Sequence, residues 1–122
     1  MSSWTFPPEA LSVGKARQAA RETLARWRLE EHVPVTDLVV SELATNVIRH
    51  AVGRIRLRLI VDRTLTVEVS DDADTAPHLR HARLQDEGGR GLFLIASLTR
   101  HWGTRYGETG KTIWAEQDLT GT

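Results

Sequence analysis

Val13, Ala16, Ala20, Leu24 and Trp27 recur at intervals of three and four, with Lys15, Arg21, Glu22 and Arg26 filling polar positions between them. That spacing gathers the apolar side chains on one face and predicts a helix capped by Ser12. Pro34, with a fixed φ and no N–H, suits the first turn of a second helix reaching Val52. Leu38, Leu43, Val47 and Ala51 form its broad apolar face, and Ser41, Glu42, Thr45, Asn46 and Arg49 its polar one. After Gly53 the period falls to two. Ile55, Leu57, Leu59 and Val61 alternate with Arg54, Arg56, Arg58 and Ile60, then Leu65, Val67 and Val69 with Thr64, Thr66, Glu68 and Ser70. Asp62-Arg63 lies between the two runs as a short turn, so the pattern predicts a hairpin with one core face and one largely wet face.

At the start of the chain, Trp4 and Phe6 flank Thr5 ahead of Pro7-Pro8, which suits an edge strand ended by the prolines. Residues 72–88 are polar and contain Pro77, with Leu79 to Leu84 able to form a short helix. A loop of that length is uncommon without a function, and a mobile cover over a site is one. Gly91 leads into Leu92, Phe93, Leu94, Ile95 and Leu98, read as a buried helix, and Trp102–Tyr106 with Lys111–Glu116 read as a closing hairpin around Gly107 and Gly110. The sum is an α+β domain in two layers, about three helices on one face of an antiparallel or mixed sheet. Residues 1–122 are expected to form a single domain, without internal repeat, linker or low-complexity region.

Composition narrows the functional classes. Lys plus Arg and Asp plus Glu each total 16, and the pI is about 7.0. With arginine scattered rather than massed, the global field offers little steering toward nucleic acid or anionic membranes, and neither is expected as a direct partner. The absence of cysteine excludes a disulfide framework and thiolate catalysis. No apolar run is long enough to span a bilayer, and Met1-Ser2-Ser3 does not open an export signal, so a cytoplasmic location is expected.

Candidate chemistry begins on the second helix, where Glu42 and Asn46, four apart, face the same way on neighbouring turns. An Asn46 amide oxygen suits Mg2+, which bridges protein to nucleotide phosphates and water. Glu42 is placed to orient or deprotonate an attacking hydroxyl. The same pair also occurs on any solvated helix face. Asp71 ends an apolar strand, where its carboxylate serves either as acceptor for an adenine amino group or as a plain turn residue. Gly88-Gly89-Arg90-Gly91 precedes the helix at Leu92, offering close backbone approach and amides for phosphate, or simply a flexible turn.

Two other motifs fail. Gly89-Arg90-Gly91-Leu92-Phe93-Leu94 lacks the last glycine of a dinucleotide fingerprint, and Gly110-Lys111-Thr112 lacks the glycine a P-loop needs at position 105. His78 and His81 share a helical face without further metal ligands, and His50 reads as a local hydrogen-bonding residue. Trp27, Trp102 and Trp114 fall within apolar patterns and read as core residues rather than base-stacking ones; Trp4 suits a sheet edge or a partner.

Four segments occur in order: Ser41-Glu42-Leu43-Ala44-Thr45-Asn46-Val47-Ile48-Arg49-His50-Ala51, Val67-Glu68-Val69-Ser70-Asp71, Gly89-Arg90-Gly91-Leu92 and Gly110-Lys111-Thr112-Ile113-Trp114-Ala115. Through them the chain, from its first helix to Ala115, resembles the small anti-sigma-factor serine/threonine kinases of the GHKL ATP-binding superfamily. The resemblance implies a two-layer GHKL or Bergerat-type fold that binds ATP and Mg2+. Within it Asn46 would coordinate the metal, Asp71 recognise adenine, and Gly89, Arg90 and Gly91 approach the phosphates. Glu42 would be the catalytic base, and the Thr112 hydroxyl would support the Asp71 end of the adenine site. Residues 72–88 become an ATP lid, whose Arg80 and Arg83 reach phosphate, bind a partner or stay solvated. In that family ATP phosphorylates a serine or threonine of an anti-anti-sigma protein, alternative binding of a sigma factor blocks transcription, and homodimers are familiar. Where the family often has glycine two positions after the aspartate, this chain has Ala73, between Asp72 and Asp74. That departure keeps a second function open beside the kinase: a noncatalytic protein-binding regulator with a degenerate nucleotide site.

Overall fold

The computed structural model describes residues 1–50, 53–71, 95–107 and 110–119, save the side chains of residues 50 and 107. Its elements are β1 (Ser2–Phe6), α1 (Leu11–Arg26), a 3-10 turn (Glu30–His32), α2 (Val33–His50), β2 (Ile55–Val61), β3 (Thr64–Asp71), β4 (His101–Gly107) and β5 (Gly110–Asp118). The strands form one sheet in the order β1-β2-β3-β5-β4. Every pairing among them is antiparallel, which decides between the two sheet types the sequence allowed.

Period-two alternation divides the sheet into two faces. Ile55, Leu57 and Leu59 of β2, Leu65, Val67 and Val69 of β3, and Ile113 and Ala115 of β5 are buried on one side. Ala16 and Ala20 of α1 and Val39, Val40, Leu43 and Val47 of α2 close the core over them. Small residues on α1 let the two helices approach closely. Arg17 and Arg21 then clamp α1 to α2, with nitrogens 2.8 and 3.0 Å from the Asp37 carboxylate.

α1 begins earlier than expected. Ala10 is its N-cap, and Ser12 lies inside the first turn with its hydroxyl donating to the Pro7 carbonyl at 2.6 Å. The Pro7 carbonyl also accepts the Glu9 N–H at 2.9 Å, so the Ser12 hydroxyl adds a second bond that ties the first turn of α1 back to the turn after β1 instead of capping the helix. At the other end Leu29 N–H donates to Leu24 O and Arg28 N–H to Ala25 O, a Schellman closure with Arg28 at φ 59° in the place glycine usually takes.

The tryptophans divide by face. Trp27 and Trp4 pack against the core. Trp102 is 37% exposed on edge strand β4, and Trp114 lies on the sheet face away from the helices, across Gly103, where a Cβ would stand 2.9 Å from its Cζ2. Core packing therefore fails for these two, because strand alternation and an uncovered edge set their environment.

Candidate functional site

Asp71 is the last residue of β3, a strand flanked by β2 and β5. Following Leu65, Val67 and Val69 on the helix-facing side, its side chain is 5% exposed. Its Oδ1 accepts the Lys111 backbone N–H at 3.1 Å. Gly110 lies so close that an added Cβ would sit 2.7 Å from the same oxygen and closer still to the Asp71 carbonyl. The carboxylate is thus fixed by the first two residues of β5.

Two anchors set the run of α2 relative to that carboxylate. Near its start the Thr36 hydroxyl donates to Gln117 Oε1 at 2.9 Å, both residues being buried. Gln117 pairs with Leu65 at the opposite end of β3 from Asp71. Beyond its other end the chain enters β2 at Ile55, whose partner is Asp71. Asn46 lies ten residues past Thr36, about 15 Å along the helix, while Leu65 to Asp71 spans about 20 Å of strand. The C-terminal turns of α2 and Asp71 consequently share one end of the helix–sheet sandwich. There Glu42 and Asn46 are half-buried, flanking buried Leu43 and Val47.

Thr112 is not brought to Asp71. It pairs with Ser70 and with Arg105, and the alternation along β5 turns its side chain to the sheet face away from the helices. The β5 side chain on the Asp71 side is Lys111, fully buried at 0% exposure. A support role for the Thr112 hydroxyl fails for that reason. Counting the alternation back from Ile113 would have found Lys111 in the sequence, against the usual preference of lysine for solvent.

Gly89, Arg90 and Gly91 lie outside the described residues, as do the 72–88 segment with Arg80 and Arg83, the Asp72-Ala73-Asp74 run, His78 and His81. The chain re-enters the described structure at Ile95, a fully buried core residue in a helical turn over residues 95–98. Arg100 N–H then donates to Glu116 O at 2.8 Å, which leads into β4 beside β5.

Asn46 fits Mg2+ through its side-chain oxygen, since that ion takes most of its ligands from phosphate and water and needs few from protein. Among the described residues no cluster of three His, Cys, Asp or Glu side chains could hold a metal. A nucleotide-borne ion suits a single amide oxygen. On the opposite sheet face, the Glu68 carboxylate is held between Arg58 and Arg105, with nitrogen–oxygen distances of 3.6 and 3.2 Å. No helix among the described residues is long and apolar enough to cross a membrane.

A comparison with curated proteins finds no match. Residues 6–116, from the last residue of β1 through most of β5, match the family described as histidine kinase-like ATPase domain. With its helices on one face of an antiparallel sheet and its strand-ending aspartate beside the end of α2, the chain belongs to that family and is a GHKL-type ATP-binding domain.

Proposed function

We propose that the protein is an anti-sigma-type serine/threonine kinase, transferring the γ-phosphoryl group of ATP to a small anti-anti-sigma protein and binding a sigma factor in the alternative state. The observation that carries this reading is the arrangement of α2 against β3, which gives Glu42, Asn46 and Asp71 a common end of the sandwich. Asp71 would accept a hydrogen bond from the adenine amino group. Asn46 would hold Mg2+, which when bound neutralises phosphate charge. Gly89, Arg90 and Gly91 would lie against the phosphates, and residues 72–88 would cover them as a lid within a single domain spanning 1–122.

Glu42 accepts the proton of the partner's serine or threonine hydroxyl as that oxygen bonds to the γ-phosphorus. The bond from the γ-phosphorus to the bridging oxygen breaks, and ADP leaves with the electron pair. The phosphate places about −1.5 to −2 charge on the partner and weakens its complex with the kinase. A cytoplasmic location and a homodimer accompany this reading.

The test is phosphoryl transfer from radiolabelled ATP to the partner by wild type and Glu42→Gln. Transfer is expected to fall by about 10²–10⁴-fold in the variant, while Mg2+-dependent ATP binding persists. Asn46→Ala is expected to lose that binding. A folded wild type that binds both MgATP and the partner yet transfers nothing would replace the kinase with the noncatalytic regulator, the reading favoured by Ala73 in place of glycine.

A further inference from the structure

The Gly110-Lys111 step ties the beginning of β5 to the carboxylate on which base recognition rests. Lys111 N–H donates to Asp71 Oδ1 at 3.1 Å, and the Lys111 side chain is fully buried on the same side of the sheet. Gly110 occupies a position where any Cβ would meet both the carbonyl and the Oδ1 of Asp71. The atoms it would strike are main chain and a carboxylate already committed to a hydrogen bond. Neither is the far end of a flexible side chain, so a larger residue must displace Asp71 or β5.

We propose that Gly110 is a positioning residue that sets the aim of Asp71, and through it the site's selectivity for a purine nucleotide bearing a 6-amino group. The inference rests on the nucleotide-binding reading above and adds to it the feature that governs base discrimination. Hydrogen bonds weaken steeply with misalignment. A carboxylate turned by an alanine methyl therefore loses its bond to the amino group before the remainder of the site is affected. The fold assigns this supporting role to the residues before Thr112, and assigns it to the absence of a side chain rather than to a hydroxyl.

The test measures binding of ATP and of purine riboside triphosphate, which lacks the 6-amino group, to wild type and Gly110→Ala. Wild type is expected to bind the analogue about tenfold or more weakly than ATP, the range of a hydrogen bond to a charged acceptor. Gly110→Ala is expected to bind ATP about tenfold more weakly and to show little further loss with the analogue. General loosening of the fold would weaken both ligands and preserve their ratio, so an unchanged ratio overturns the inference.

A second measurement avoids dependence on a folded variant. In 15N-labelled wild type the Lys111 amide resonance is expected to move on ATP addition and to move much less with the analogue. Equal movement with both ligands overturns the inference while leaving nucleotide binding intact. A wild type that binds neither ligand overturns the nucleotide reading itself, and this inference with it.

Discussion

Asp37 receives two guanidinium groups across the α1–α2 contact: Arg17 by two hydrogen bonds at 3.1 and 2.8 Å, and Arg21 by one at 3.0 Å. The hydrogen bonding of Arg17 is the foremost reason its carboxyl titrates below the usual range. Partial burial pulls the other way, and the Arg21 bond and both positive charges add to the lowering. With a folded value below the unfolded one, near 3.9, the stabilisation is present above that pH and is lost as pH falls through the folded value. Asp37→Asn is therefore expected to lower the thermal midpoint by a few degrees at pH 7. The difference should narrow in high salt, because the arginines are partly exposed, and close as pH falls through the lowered folded value of Asp37. A difference that persists unchanged at acid pH would show that charge is not what Asp37 contributes. Neither arginine advertises this partner, since Asp37 lies 16 to 20 residues away on another helix. Glu42, Asn46 and Asp71 were legible because spacing on one helix and the end of one apolar run are local properties. Lys111 is passed over because lysine usually prefers solvent, although the alternation back from Ile113 puts it on the core-facing side.

The course of α2 depends on a buried hydrogen bond joining its first turn to the far end of β5. Thr36 and Gln117 are separated by 81 residues and both lie out of solvent. Thr36→Val removes the donor and leaves the Gln117 oxygen buried without it, a change worth about 1–3 kcal/mol; Thr36→Val with Gln117→Leu removes both groups and should recover much of that loss. Urea denaturation of the four proteins in a double-mutant cycle reads the coupling, and strict additivity would exclude the bond as an anchor. Two hairpins were legible because each joins neighbouring runs of period two: β2 with β3 through Asp62-Arg63, and β4 with β5 around Gly107 and Gly110. Placing β5 between β3 and β4 was not, because it brings Val67 to Ala115 across the whole intervening chain. Helical periodicity likewise revealed which face of α2 is apolar, but its direction over the sheet is fixed only by Thr36 with Gln117 and by entry into β2 beside Asp71. That direction separates a possible pair on a helix from a candidate site.

One core underlies the described part of the candidate site. Ala16 and Ala20 of α1, Val39 and Leu43 of α2, Ile55, Val67 and Ile113 of three strands, and Ile95 beyond the 72–94 segment belong to a single buried cluster. Such a domain should unfold as one cooperative unit, so far-UV circular dichroism and tryptophan fluorescence should give coincident transitions. The fluorescence probes are well distributed for that comparison, with Trp27 against the core and Trp114 on the opposite sheet face. A ligand held between α2 and the β3–β5 end binds only the assembled molecule and must raise both transitions together. At a hundred times its dissociation constant, MgATP should add about 2.7 kcal/mol, a midpoint increase on the order of 10 °C for a domain of this size. Asn46→Ala should forfeit the Mg2+-dependent part of that increase, and Asp71→Asn most of it, each relative to its own ligand-free midpoint. A wild-type midpoint indifferent to MgATP at millimolar concentration would contradict nucleotide binding at this end of the sandwich. Transitions that separate on ligand addition would instead mean that the nucleotide stabilises only part of the molecule, against the single core from which the site is built.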